Sequence, residues 1–204
     1  MSNLEQNFNE HKSAGGRAIY KELSFRLIYE RLLSPFKGGN VTLVEIGVGY
    51  GGCLQMWKEY LGPAAKIYGI DKEDRLCYEE PQIKCIVGDQ GDRSFLKVIP
   101  PMIPGIDILI DDGSHVSSEQ ISTFEEIFPY LVPGGIYFCE DTHTSYREKD
   151  YGGGYKKEGT FIEYCKDLID ALYHTEDERI QCPDVAKTIE SISFYRSLVV
   201  IKKS

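Results

Sequence analysis

The stretch Ile106-Asp107-Ile108-Leu109-Ile110-Asp111-Asp112-Gly113-Ser114-His115 decides how the rest of the chain is read. It is an apolar run that stops abruptly in carboxylates and a histidine. One β/α unit later, Gly135-Ile136-Tyr137-Phe138-Cys139-Glu140-Asp141 ends the same way. In an open parallel sheet, neighbouring strands built like this aim their acids into the crevice beyond the carboxyl edge, where ligands bind. Converging carboxylates raise one another's pKa unless a positive partner sits between them, so the pattern asks for a bound divalent metal.

The same strand, turn and helix rhythm recurs on both sides. Val41–Ile46 is a β-branched, apolar run suited to a strand buried on both faces. A helix through Leu54, Trp57 and Leu61 follows it, and Lys66–Ile70, Ile83–Val87, Ile106–Ile110 and Ile136–Cys139 repeat the strand pattern. Upstream, Leu23, Leu27, Ile28 and Leu32 predict a helix over Ala18–Leu33, stopped by Pro35. Beyond His115, Ser117 and Gln120 predict a capping box, Ile121, Phe124, Phe128 and Leu131 an apolar stripe, and Pro133-Gly134-Gly135 the end of the helix. The tail predicts a helix over Thr160–Tyr173, then Ser191–Tyr195 and Leu198–Ile201 joined only by Arg196-Ser197, a link short enough to demand an antiparallel hairpin. The fold class is therefore α/β: Rossmann-like, with a central, mostly parallel sheet and a C-terminal antiparallel hairpin.

At 204 residues the chain is read as one domain, 1–204, in which 1–35 form an amino-terminal leader and helix. A net charge of -9, from 32 acids and 23 bases, argues against nucleic acid as a partner, because no basic surplus exists to displace its counterions. The six cysteines (Cys53, Cys77, Cys85, Cys139, Cys165, Cys182) form no C-x-x-C pair and read as reduced thiols, which fits a cytoplasmic protein. The start, Met1-Ser2-Asn3-Leu4-Glu5, has no signal-peptide pattern, and no apolar run reaches membrane-spanning length, so no membrane partner is expected. Tyr146–Lys157, with Gly152-Gly153-Gly154, reads as a mobile loop.

Gly47-Val48-Gly49-Tyr50-Gly51-Gly52, directly after the first strand, lets the backbone turn tightly and approach a ligand. The spacing departs from G-x-G-x-x-G, and Glu45 lies just before the turn, where a pyrophosphate gains nothing from a carboxylate. An acid there suits a cationic ligand such as the amino group or sulfonium of S-adenosylmethionine. Asp71, ending the second strand, stands where an acid accepts hydrogen bonds from ribose hydroxyls, and Asp89, after the third, where an adenine amino group is read. Glu45, Gly47, Gly49, Asp71, Asp89 and Asp111 form the expected cofactor set. The competing explanation is that glycines and acids end strands for turn reasons alone.

Taken in order, Glu45-Ile46-Gly47-Val48-Gly49, Asp71, Asp111-Asp112-Gly113-Ser114-His115 and Glu140-Asp141 resemble the metal-dependent sugar O-methyltransferases of the mycinamicin and macrocin type, from about Leu23 to the end. The chain is also similar, around the same acids, to the 7-hydroxycephem methyltransferase. The resemblance implies a class I methyltransferase fold in which Asp112, Glu140 and Asp141 hold magnesium and His115 acts as base. Oxygen ligands of this kind also accept manganese. It further implies a small-molecule acceptor, methylated on a hydroxyl of a sugar or diol, in a natural-product or polysaccharide setting. The chemistry is coherent: an alcohol is a poor nucleophile until its proton leaves, magnesium acidifies it less than zinc would, and a base is still required. A vicinal diol offers such a metal two oxygens, which orients it as well. His143 is a candidate second base or acceptor contact, and Tyr146, Arg147 and Tyr151 are candidate acceptor-pocket residues. Two other readings compete: an NAD-dependent Rossmann oxidoreductase, against which the glycine spacing and Glu45 speak, and an inactive binding module with a methyltransferase fold, against which the three acids and His115 speak. Acceptor identity and oligomeric state, a homo-oligomer included, stay open, because the characterised enzymes can carry a further amino-terminal region that shapes both.

Overall fold

The computed structural model describes Leu4 and residues 17–204; the rest of the leader lies outside the described residues. The chain forms two compact units, Met1–Asp89 and Gln90–Ser204.

In the first unit, strands β1 (Thr42–Ile46), β2 (Lys66–Asp71) and β3 (Ile83–Val87) are parallel, with β2 between the other two. All five residues of β1 are buried, as its unbroken apolar pattern requires. Helix α1 (Arg26–Leu33) follows a 3-10 turn over Leu23–Phe25, and helix α2 (Gly52–Leu61) follows β1. The expected helix from Ala18 is corrected here: the regular helix begins only at Arg26, and its buried side chains are Tyr29 and Leu33, with Phe25 beside them. Leu23 and Leu27, expected on the core face, are 48% and 75% exposed. Both sets have helical spacing; the face with two aromatic rings wins because it buries more apolar area, Tyr29 packing on Trp57 with ring centroids 5.0 Å apart. Leu54, Trp57 and Leu61 of α2 are buried as read. A Cβ on Gly69 of β2 would lie 2.6 Å from Val48 and 2.7 Å from Leu54, so only glycine lets the helix sit this close.

In the second unit, β4 (Ile106–Asp111) is parallel to β5 (Leu131–Glu140), which pairs antiparallel with β7 (Leu198–Lys203), and β7 pairs antiparallel with β6 (Ile189–Tyr195). The hairpin β6–β7 turns through Arg196-Ser197 as its short link demanded, with Ser197 at φ +63°. Helices α3 (Arg93–Leu96), α4 (Ile99–Met102), α5 (Ser117–Ile127) and α6 (Phe161–Ala171) complete the unit. The capping box on α5 is not formed: Val116 occupies the cap position, Ser117 Oγ lies 3.4 Å from Ser145 Oγ, and Gln120 Nε2 donates to the Glu140 carbonyl at 3.1 Å. Both side chains are buried, so tertiary partners outcompete the local cap. Pro133-Gly134-Gly135 also lie inside β5 rather than ending a helix, and a register shift on β4 between Ile106 and Ile108 accommodates the irregular start of that strand. The apolar layer under β5 is aromatic: Phe124 stacks on Phe128 at 4.7 Å and meets Tyr137 at 5.5 Å, and Tyr137 meets Phe161 at 6.4 Å. Among the described residues, no helix is long and apolar enough to cross a membrane.

Candidate active site

Each unit carries one group of the expected residues. In the first, the chain leaves β1 through Gly47, Gly49 and Gly51, whose φ angles of +93°, +53° and +75° lie in the left-handed region that favours glycine. A Cβ on Gly51 would also meet the Tyr78 ring at 2.8 Å. Asp71 shapes this turn: its Oδ2 accepts from the Val48 and Gly49 amides at 3.0 and 3.2 Å, and its Oδ1 from the Glu73 amide at 3.0 Å. Arg75 Nε lies 3.5 Å from the same carboxylate. Asp89 is exposed beyond β3.

Glu45 sits in different surroundings from those its position suggested. It is fully buried, accepts a hydrogen bond from Trp57 Nε1 at 3.1 Å, and forms an ion pair with Lys21 Nζ at 3.1 Å. The positive charge that the sequence reading sought in a ligand is supplied here by the protein. Nothing in the spacing of Lys21, one of several basic residues in a polar leader, marked it as Glu45's partner; the Trp57 contact at twelve residues' separation was equally illegible.

In the second unit, the pairing of Asp111 with Cys139 sets Asp112, just past the end of β4, level with Glu140, the last residue of β5. Asp111 itself is fully buried and accepts from Gln90 Nε2 at 2.7 Å and Tyr137 OH at 3.1 Å. Burial pushes its pKa up to about 6 despite those hydrogen bonds, which pull the other way. Gln90, which the sequence reading passed over, also accepts from the Ser114 amide at 3.0 Å and donates to Thr123 Oγ1 at 2.9 Å. One amide thus fixes both the strand end and the loop leading to His115.

Asp112, His115 and Asp141 come together: one ligand atom from each lies within 4.8 Å of the others. His115 Nε2 is 3.5 Å from Asp141 Oδ2, and His143 Nδ1 is 3.7 Å from Asp141 Oδ1. Among the described residues, the basic side chains within 4 Å of Asp141 are these two imidazoles, with no lysine or arginine. His115 and Asp141 both have left-handed backbones, φ +59° and +52°, a cost that non-glycine residues bear where surrounding contacts enforce it. Thr144 Oγ1 supplies one such contact, donating to the His115 carbonyl at 2.8 Å. Glu140 stands outside the three-residue group; it is 2% exposed and its carbonyl receives the Gln120 amide. Two carboxylates and an imidazole at this separation are a donor set for a divalent cation.

The segment expected to be a mobile loop is bonded to itself: Gly153 N donates to Arg147 O at 2.7 Å, Gly154 N to Ser145 O at 2.9 Å, and Lys157 Nζ to Gly152 O at 2.7 Å. Tyr146 is exposed at its start. A cavity of about 880 Å³ in the same unit, lined by Tyr164, Leu168, Arg179, Ile180 and Pro183 among others, shares no residue with the acidic group. All six cysteines are free thiols, and burial raises the pKa of Cys139 and Cys165.

No family model matches the chain. Curated relatives do. The chain is 36% identical over 190 residues to the 8-demethyl-8-alpha-L-rhamnosyl tetracenomycin-C 2'-O-methyltransferase of Streptomyces olivaceus, covering 88% of this chain and 50% of the relative. It is 35% identical to the mycinamicin VI 2''-O-methyltransferase of Micromonospora griseorubida (86% and 47%) and 34% identical to the demethylmacrocin O-methyltransferase of Streptomyces fradiae (86% and 47%). The chain spans about half the length of these relatives. A solved structure, the MycE methyltransferase of the mycinamycin pathway in complex with Mg, SAH and mycinamycin VI, superposes with a TM-score of 0.88 at 31% identity, over 100% of this chain and 54% of that one. A caffeoyl-CoA O-methyltransferase homologue from Staphylococcus aureus, 13% identical with a TM-score of 0.59, shares the fold alone. The fold is that of a Rossmann-like class I methyltransferase, and, across the half of their length that it spans, the chain is a homologue of the sugar O-methyltransferases of the mycinamicin and demethylmacrocin type.

Proposed function

We propose that this chain is a magnesium-dependent, S-adenosylmethionine-consuming O-methyltransferase acting on a sugar hydroxyl of a glycosylated small molecule. The observation that carries the reading is the group Asp112, His115 and Asp141 within 4.8 Å, beyond the ends of β4 and β5, in a chain similar to sugar O-methyltransferases. Its donors fit a hard dication: the carboxylate of Asp141 meets only imidazoles, so no fixed protein cation neutralises it among the described residues. Asp112 and Asp141 would hold the metal, with Glu140 as the third acid of the set; manganese fits the same oxygens. Bound magnesium would supply charge that acidifies and orients the acceptor hydroxyl, and the sulfonium would supply the methyl group.

The chain's own residues do the rest. His115 receives the hydroxyl proton as the oxygen attacks, and Asp141 orients its ring from 3.5 Å. The left-handed backbone at His115, tied by Thr144, holds the imidazole in place before the acceptor arrives. The glycines at 47 and 49 let the backbone turn close to the cofactor, and Asp71, which accepts from the Val48 and Gly49 amides, has lone pairs left for ribose hydroxyls. Asp111, buried beneath, and Asp89, exposed, complete the cofactor set by position. Residues 1–204 act as one methyltransferase domain in this reading. Free thiols support a cytoplasmic setting, and the charge of -9 supports a small molecule over nucleic acid as partner.

The test is incubation of the full chain with S-adenosylmethionine, magnesium and a rhamnosylated or macrolide glycoside, following S-adenosylhomocysteine release and the mass of the sugar. Methylation that stops in chelator and returns with magnesium is expected. Binding of NAD with no affinity for S-adenosylhomocysteine would overturn the reading.

A further inference from the structure

The segment Arg17–Lys21 meets the glycine-rich turn of the first unit at Tyr50 and Gly52 and is tied to residues on either side of it. Lys21 reaches under the turn to Glu45, Nζ to Oε1 3.1 Å, with side-chain exposures of only 2% and 0%. Its ammonium also lies 5.7 Å from the centroids of both the Tyr29 and Trp57 rings. Tyr20 lays its ring against that of Tyr50, in the turn itself, at 5.5 Å. The Arg17 and Ala18 carbonyls lie so close to Gly52, at the start of α2, that a Cβ there would fall 2.4 Å from each. Arg17 then runs on beyond β2: its Nη1 donates to the Tyr78 carbonyl at 2.8 Å, its guanidinium lies 4.8 Å from the Tyr78 ring, and its Nη2 is 3.7 Å from Glu80.

Such a layout is more than a tethered end. A desolvated lysine–carboxylate pair tolerates the loss of either member poorly, because the remaining charge stays buried. The pair therefore fixes the strap on the strand end that opens the turn, while Tyr20 and Arg17 hold it from outside. Gly52 carries no side chain, which is what lets the strap's backbone rest there.

We propose that Arg17–Lys21 is a cofactor strap and that Lys21 is its positioning residue: paired with Glu45, it holds the strap across the turn and so limits how fast a bound S-adenosyl cofactor leaves. The proposal rests on the reading that residues 47–52 cradle that cofactor. Lys21 does not touch the reacting atoms; it acts through Glu45 and the turn. The exchange rate of the cofactor, rather than the chemical step, is what the strap governs.

Trp57, the only tryptophan in the sequence, donates to Glu45 and lies beside Lys21, so its emission reports on the latch. The experiment measures S-adenosylhomocysteine affinity by calorimetry and its dissociation by stopped-flow Trp57 emission, on the full chain and on Lys21→Met, Lys21→Arg and the double variant Arg17→Ala/Tyr20→Ala. Thermal unfolding confirms that each is folded. The strap predicts dissociation faster by about tenfold or more in Lys21→Met and in the double variant, with Lys21→Arg close to the parent. The double variant leaves the buried pair untouched and carries the test should Lys21→Met fail to fold. Unchanged dissociation in a folded variant overturns the strap while leaving the cofactor reading intact. A parent chain that does not bind S-adenosylhomocysteine overturns that reading, and the strap's role with it.

Discussion

The turn in the first unit and the acidic group in the second are both built from carboxylates at strand ends, yet they treat charge oppositely. Glu45 is compensated from within, by Lys21 at 3.1 Å and by the Trp57 indole, and Asp71 accepts from the Val48 and Gly49 amides of the turn after β1. Asp141, in contrast, faces two histidines and lies with Asp112 in a group that no fixed cation closes from Asp141's side. Acids of the first kind hold a shape; an acid of the second kind waits for a ligand. A strand-end acid is therefore not a site by position alone. What distinguishes the two is whether the protein has already supplied the counter-charge.

That contrast is open to experiment, and the largest effect is expected at the acidic group. His115→Ala should lower turnover by roughly a hundred- to ten-thousandfold while S-adenosylhomocysteine affinity stays near the parent value, measured by initial rates and calorimetry. A variant with full turnover would take His115 out of the chemistry. At the turn the effect should instead fall on stability: Glu45→Ala strands the buried Lys21 and should cost about 3–5 kcal/mol in urea unfolding. A loss below about 1 kcal/mol, on the order of a surface substitution, would show that Glu45 is not held by an internal counter-charge.

Asp111 sharpens the comparison through pH. Its folded pKa of about 6 lies above the value of about 3.9 for an unfolded aspartate, so the folded state holds the proton more tightly. The resulting stabilisation is full below the unfolded value and is lost as pH rises through about 6. Between those limits the parent should lose at most about 3 kcal/mol relative to Asp111→Asn, read from denaturant midpoints across the range. Parallel curves for the two would place the titration elsewhere. The smallest changes are expected at Asp141. Asp141→Ala should raise the magnesium needed for half-maximal binding by about tenfold or more, and Asp141→Asn should shift metal-free stability by no more than about 0.5 kcal/mol. Strong destabilisation without metal would make Asp141 a structural acid like Glu45.

Much of this molecule was legible from pattern. The runs at 42–46, 66–71, 83–87 and 106–111 are strands because continuous β-branched and apolar residues suit a parallel sheet covered on both faces, and the two-residue link at Arg196-Ser197 left no alternative to a hairpin. Asp112, His115 and Asp141 were legible too, since carboxylates straight after buried strands have little packing value. Where two local patterns competed, sequence had no means of choosing. Leu23 and Leu27 offered one helical face and Phe25, Tyr29 and Leu33 another, and the Trp57 ring decided between them. Ser117 and Gln120 matched a cap, but buried acceptors elsewhere in the fold claimed their side chains.

The sequence by itself determined the alternation of strands and helices, the turn glycines and the residue types at each strand end, because these follow from periodicity and from the backbone freedom each residue has. Only the tertiary structure decided which acids are already neutralised. Lys21 is 24 positions from Glu45, and charge compensation depends on distance in space, over a few ångströms, with no trace in the spacing along the chain.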